Sequence, residues 1–229
     1  MSAKANLQLE GASLSPGLAM GRAFVYRDIL EEDLHTSRVE PAEVEMQCER
    51  IHAAADRVFE DIRESKHRVA EQIGPYQAEI FEAHRAMLRD LLESLEFRHE
   101  MENKGHNAEV SVQRVFKRWV SRMESGDGQA AVQRADDVAD LGRQLLRRLR
   151  GISIHPLEKM PAGSILVASR LLPSDAVFFA CRNTAGVIVE RGGRASHCAL
   201  ITRQVGIPGL CNVRDATERV ATGDTVVVD

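Results

Sequence analysis

The spacing of apolar residues changes period twice along this chain. Leu7 to Glu10 and Leu18 to Tyr26 read as two strands, separated by Ala12-Ser13-Leu14-Ser15-Pro16-Gly17, whose Ser, Pro and Gly are turn chemistry. Residues 27–40 are polar and acidic and read as a linker, after which Pro41 suits a first helical position. Val44, Cys48, Ile51, Ala55, Val58, Ile62 and Val69 then recur in steps of four and three, the seam of a long amphipathic helix packed in coiled-coil fashion. Gly74-Pro75 closes it. A second helix carries Ile80, Phe81, His84, Met87, Leu88, Leu91 and Leu92 on one face, and the short break before it predicts an antiparallel hairpin. Gly105 and Asn107 set off a third helix with Val112, Val115, Phe116, Trp119 and Met123. Beyond the turn Ser125-Gly126-Asp127-Gly128, a fourth runs to about Arg150, with Val138, Leu141, Leu145 and Leu149 inward and Gly151 as its stop.

After Gly151 the β pattern returns. Ile165 to Ala168 is a strand, Pro173-Ser174-Asp175 starts a helix, and Val187-Ile188-Val189 is a β-branched run that stops at Gly192-Gly193. Ser196 is a good N-cap for a helix over 197–205 packed through Ala199, Leu200 and Val205, with Gly206 as its C′ residue and another strand behind it. Thr225 to Val228 is a last strand. The pattern therefore predicts an α/β chain in which residues 1–35 and 151–229 form one discontinuous domain, interrupted by a helical block over 36–150. A four-helix block by itself implies no chemistry.

Composition narrows the class. With 229 residues, 44% of them apolar and 28% charged, the chain has material for a core and is neither disordered nor membrane-bound. A net charge of −4 gives no reason to expect nucleic acid. Met1 to Asn6 lack the apolar run of a signal peptide and no segment is long enough to span a bilayer, so the expected compartment is the cytoplasm. Cys48, Cys181, Cys198 and Cys211 form no CxxC pair and read as free thiols; no acidic cluster suggests a metal, so no cofactor is expected in the chain.

Candidate chemistry concentrates in Gly192-Gly193-Arg194-Ala195-Ser196-His197. The first turn of a helix offers unpaired N–H groups and a partial positive charge, a natural seat for phosphate. The glycines allow close backbone approach, Arg194 adds a cation, and a neutral imidazole at His197 is a competent nucleophile near pH 7. On this chemistry alone, a phosphate-accepting histidine and a surface histidine on a capped helix are equally good readings. Cys198 is a rival nucleophile because a helix N-terminus lowers a thiol pKa, but adjacent helical residues point about 100° apart and make a poor Cys–His pair.

Gly192, Gly193, Ser196, His197, Ala199, Arg203, Ile207 and Pro208 together resemble the phosphohistidine signature of the phosphoenolpyruvate-utilising enzymes, which include Enzyme I of the sugar phosphotransferase system and the dikinases. The resemblance implies that His197 is phosphorylated, with Arg194, Ser196, Gly192 and Gly193 around the phosphate. Gly11-Ala12-Ser13-Leu14-Ser15-Pro16-Gly17-Leu18-Ala19-Met20-Gly21 is similar to the opening of Enzyme I proteins, and its place near Met1 leaves no room for the sensor domain of the nitrogen-regulatory relatives. Ile80-Phe81-Glu82-Ala83-His84 and Arg134 to Gly142 match the helical subdomain that Enzyme I proteins insert here as the docking surface for the phosphocarrier HPr. The implied fold is a swivelling phosphohistidine β/α sandwich with an inserted four-helix HPr-docking subdomain, and Glu82, His84, Met87, Asp90 and Arg134 are its candidate partner-binding residues. A histidine among apolar neighbours is, on the other hand, more often a packed core residue.

The match is imperfect in places. Pro75-Tyr76-Gln77 and Ala139 stand where relatives have acids and an arginine, Arg170-Leu171-Leu172-Pro173-Ser174 replaces Asp-Leu-Thr-Pro-Ser, and Ala176 replaces a hydroxyl residue. Full-length Enzyme I proteins continue into an α/β barrel that binds phosphoenolpyruvate and Mg²⁺ and forms the dimer, and nothing in this sequence corresponds to it. The resemblance therefore implies a monomeric phosphoryl-carrier half that exchanges phosphate between His197 and HPr and does not use phosphoenolpyruvate unaided. Two alternatives stay open: an HPr-binding sensor module, and the swivelling domain of a dikinase-type enzyme.

Overall fold

The computed structural model describes residues 7–72, 79–126, 128–193 and 196–229. Its contacts divide the chain into an α/β unit, Met1–Arg27, Pro156–Leu171 and Phe178–Asp229, and a helical unit, Asp28–His155 with Leu172–Val177.

The α/β unit is built on a six-stranded sheet of order β1-β5-β4-β3-β2-β6, with β1 Ala12–Ser15, β2 Ala19–Tyr26, β3 Ile165–Ala168, β4 Gly186–Val189, β5 Gly209–Cys211 and β6 Thr225–Val228. The four inner strands run parallel, with Val25 opposite Val167, Val167 opposite Ile188 and Ile188 opposite Leu210. Strands β3 and β4 are buried along their whole length, which is why they read as unbroken apolar runs instead of alternating ones. Ala19, Ala23, Ile165, Val167, Ile188, Val213, Ala216 and Val228 form the core on one side. Strands β1 and β6 close the edges antiparallel to their neighbours.

The first strand differs from expectation. It lies at Ala12–Ser15, inside the segment whose composition predicts a turn, and not at Leu7 to Glu10. Ala12 pairs with Cys211 and Ser13 with Leu210, burying Leu14 and Ser15, so ladder bonds and burial outweigh local turn preference. A register shift between Ser13 and Ser15 marks the edge.

The helical unit contains α1 Val44–Gln72, α2 Ile80–Glu93, α3 Glu96–Lys104, α4 Ala108–Glu124 and α5 Gln129–Leu149. Helix α3 escaped the sequence pattern because Glu-Phe-Arg-His-Glu-Met-Glu-Asn-Lys is polar nearly all round and buries only Phe97 and Met101. It ends on Gly105 at φ 63°, and Asn107 Oδ1 caps α4 by accepting the Val110 N–H at 3.0 Å. The Gly74-Pro75 break and Asp127 fall outside the described residues. The stretch read as a linker is ordered: Asp28 caps a 3₁₀ turn over Ile29–Glu31, Ile29, Leu30 and Val39 are buried, and Gln113 Nε2 donates to the Leu30 and Glu32 carbonyls at 2.8 Å each. These contacts put residues 28–35 with the helices. Helix α6, Pro173–Cys181, has its first turn in the same unit.

Candidate functional site

The glycine loop leaves the sheet from a fixed point. Past the end of β4, Glu190 N donates to Ala168 O at 3.1 Å and Arg191 N to Ser169 O at 2.9 Å, so the strand stays attached to the continuation of β3 for two more residues. Gly193 has open space where a Cβ would sit. Its neighbours therefore do not require glycine there, and its absent side chain leaves bare backbone that a ligand can approach. Ser196 N donates back to Gly193 O at 3.0 Å, and Ser196 Oγ accepts the Ala199 N–H at 3.2 Å, capping α7, His197–Gln204.

His197 is thus the first helical residue, in the turn whose N–H groups have no intrahelical acceptor. Ala199 and Thr202 are buried, and Arg203 Nη1 donates to Leu14 O at 3.2 Å, which holds the helix to β1. Gly206, at φ 71°, follows the C-cap Val205 as its spacing predicts. Arg194 lies outside the described residues, as do the side chains of His197 and Cys198.

The candidate docking residues divide. Glu82, Asp90 and Arg134 are exposed and Met87 is half-buried. Lys66 Nζ donates to Glu82 Oε1 at 2.6 Å, and that hydrogen bond holds the Glu82 carboxyl below its usual range. His84 departs from its assignment as a contact residue, since its side chain is fully buried. Its Nε2 lies 3.1 Å from Asp137 Oδ1, its Nδ1 lies 3.9 Å from Asp140 Oδ2, and the Phe81 ring packs edge-on to it. Position 84 falls on the same helical stripe as the buried Phe81, Leu88 and Leu91, and α5 supplies the polar partners an interior imidazole needs.

Sequence reasoning missed the buried charges around that pair. Asp140 accepts Ser174 N at 2.9 Å and Ser174 Oγ at 2.5 Å. Arg143, fully buried, donates from Nη1 to Asp175 Oδ2 at 2.9 Å and from Nη2 to Asp28 Oδ2 at 2.5 Å. His155 Nε2 approaches Asp175 Oδ1 at 3.2 Å. Burial raises the Asp140 carboxyl above its ordinary range against the pull of His84. Burial acts on Asp175 in the same direction, but Arg143, His155 and Arg147 together hold its carboxyl far below that range. Burial lowers the His155 imidazole. The available signal was the spacing of Asp137, Asp140, Gln144 and Arg147 in steps of three and four, a polar stripe beside the inward Val138, Leu141 and Leu145.

Two family models match the chain: the N-terminal domain of the PEP-utilising enzymes over residues 10–134, and their mobile domain over residues 160–229. The chain belongs to the phosphoenolpyruvate-utilising enzymes. Within the family it is similar to the phosphoenolpyruvate-protein phosphotransferases of Listeria innocua, 28% identical over 222 residues, and Haemophilus influenzae, 27% identical over 223 residues. The alignments take in 97% and 96% of this chain but 38% of each relative, so the chain spans well under half the length of the curated relatives it matches.

Among solved structures it resembles an NMR solution structure of Enzyme I (nEIt), with a TM-score of 0.69 and 28% identity over 97% of this chain and 89% of that one. The N-terminal domain of Enzyme 1-Nitrogen shares the fold, with a TM-score of 0.61 and 23% identity over 97% and 90% of the two chains. Among the described residues no group of three or more His, Cys, Asp or Glu is arranged to hold a metal, and no helix is long and apolar enough to cross a membrane.

Proposed function

We propose that this chain is the phosphoryl-carrier half of an Enzyme I-type phosphotransferase, working in the cytoplasm and exchanging a phosphoryl group reversibly between His197 and an HPr-type phosphocarrier. The observation that carries this reading is the first turn of α7. A Ser-capped helix begins at His197 directly behind a glycine loop with open space at Gly193, in the segment that matches the family's mobile domain.

A ring nitrogen of neutral His197 attacks the phosphorus of the carrier's phosphohistidine. A new P–N bond forms as the old one breaks, and the departing electron pair stays on the carrier's imidazole; the reverse path is the same. Such a transfer asks the protein mainly for position and charge stabilisation, supplied here by the first-turn amides, Ser196 and Arg194. The carrier docks on the helical unit at Glu82, Met87, Asp90 and Arg134. Acidic rim residues speed encounter and the apolar contact holds the complex. Direct use of phosphoenolpyruvate is not part of the proposal.

Intact-mass analysis of the protein with phosphorylated HPr, and separately with phosphoenolpyruvate and Mg²⁺, tests the reading against a His197→Ala control. One acid-labile phosphoryl group, gained only from phospho-HPr and lost in the control, is expected. Uptake by His197→Ala overturns the assignment of His197. Binding of HPr without uptake turns the chain into a sensor module, and failure to bind any HPr-type protein favours a dikinase-type swivelling domain.

A further inference from the structure

Glu190 occupies an unusual place, one residue past β4 and two before Gly192. Its backbone N–H is bound to Ala168 O at 3.1 Å, and on the other flank Val213 N donates to Val189 O at 3.2 Å. Glu190 Oε1 accepts the Thr217 N–H at 2.7 Å and the Thr217 hydroxyl at 2.6 Å. Thr217 is the second residue of the short helix α8, Ala216–Arg219, whose own N-cap residue, Asp215, sits at φ 55° and makes no side-chain cap bond. Glu190 therefore supplies from the sheet the cap that α8 lacks locally.

The consequence reaches the glycine loop. The chain is clamped at 190–191 by β3 on one side and by α8 through the Glu190 side chain, and it is held again where Ser196 caps α7, a helix that Arg203 ties to β1. Only residues 192–195 lie between the clamps. Neither Gly192 nor Gly193 has a Cβ to restrict its backbone, so the chain enters the loop from a point set by the β3 bonds to residues 190 and 191 and by the Glu190 side chain.

We infer that Glu190 and Thr217 form a latch that positions the phosphoacceptor helix. Glu190 is a positioning residue that acts through Gly192-Gly193 on the placement of His197. The inference rests on the proposed function for its kinetic consequence, while the latch itself is a property of the α/β unit alone. Misplacing reacting atoms by a fraction of an ångström to an ångström slows transfer steeply, whereas docking on the helical unit is untouched.

The test uses the full 229-residue chain. Single-turnover uptake from phospho-HPr at saturating carrier is measured for wild type, Glu190→Ala, Glu190→Gln and Thr217→Val, together with the Kd for unphosphorylated HPr, the thermal midpoint and amide exchange at Ser196, Ala199 and Leu200. Glu190→Ala should slow transfer at least tenfold with Kd within twofold and accelerate exchange at those amides. Glu190→Gln, whose Oε1 can accept the same two bonds, should restore both, and Thr217→Val should fall between. Wild-type transfer and exchange in Glu190→Ala overturn the latch. So does a Glu190→Gln as slow as Glu190→Ala, which would assign the effect to charge. If wild type takes no phosphoryl group, the proposed function fails, and unchanged or accelerated amide exchange in Glu190→Ala still decides the latch.

Discussion

Asp140, in the middle of α5, accepts both the backbone N–H and the hydroxyl of Ser174 at the second position of α6. Leu172, which precedes that helix, has no side-chain oxygen to offer as a cap, and its own N–H is accepted by Asp175 Oδ2 at 2.8 Å. The capping arrangement at α6 is therefore assembled from two segments, with α5 providing the half that the local sequence lacks.

Replacing Asp140 by Ala should remove two buried hydrogen bonds at once and destabilise the helical unit by about 2–3 kcal/mol, read by urea unfolding. Asp140→Asn keeps an acceptor and should lose less. The pH dependence separates the roles. The Asp140 carboxyl is raised by burial, so its contribution is present below the ordinary aspartate range and is lost as pH rises through its folded value. Asp140→Asn should thus compare least well with wild type at low pH and better as pH rises.

Arg143 donates to both Asp28 and Asp175, and it is wholly buried. Arg143→Met takes from Asp28 and Asp175 the guanidinium they share, leaving Asp175 only the more distant Arg147 and His155, and should cost about 3–5 kcal/mol near neutral pH. The loss should shrink in acid. Asp175 is held far below its ordinary range in the wild type, so its stabilising contribution is present above that range and is lost as pH falls through the folded value. In Arg143→Met burial acts unopposed by Arg143, Asp175 takes up a proton at higher pH, and the penalty is relieved. A difference between wild type and variant that grows on acidification contradicts this account.

His155 acts in the same direction as Asp175 but at higher pH. Its imidazole is pushed down by burial, so the neutral form is favoured in the fold. That contribution is complete above the ordinary histidine value of 6.5 and disappears as pH falls through the lower folded value. His155→Gln should flatten the stability curve just below pH 6.5, measured as the urea midpoint in small pH steps. An unchanged slope removes His155 from the linkage.

Two glycines separate packing from chemistry. A Cβ at Gly142 would lie 2.7 Å from Phe116 Cγ, so Gly142→Ala forces α4 and α5 apart and should cost about 1–3 kcal/mol. A Cβ at Gly193 meets nothing within 4 Å, so Gly193→Ala should leave unfolding within about 0.5 kcal/mol of wild type. Any loss of phosphoryl uptake in Gly193→Ala then reports ligand approach. Uptake equal to wild type, measured by intact mass over time, separates this glycine from the proposed site.

Local pattern was enough to place the long seam of α1, the buried runs of β3 and β4, and the Ser196 cap with its Gly206 stop. Each of these is set by interactions within a few residues or by the period of a single face. It also carried the glycine–serine–histidine constellation, because loop and helix are contiguous. Only the tertiary structure decided the rest. Ala12–Ser15 is a strand because Cys211 and Leu210 lie beside it, and His84 faces inward because Asp137 and Asp140 on another helix meet its ring. Asp28, Arg143 and Asp175 form one buried cluster across 147 positions of chain, the 115 from Asp28 to Arg143 and the 32 from Arg143 to Asp175. The physical reason is common to all three. A strand edge, a buried imidazole and a buried guanidinium are each satisfied by groups distant in sequence, and no local pattern records where the fold will bring a donor to its acceptor.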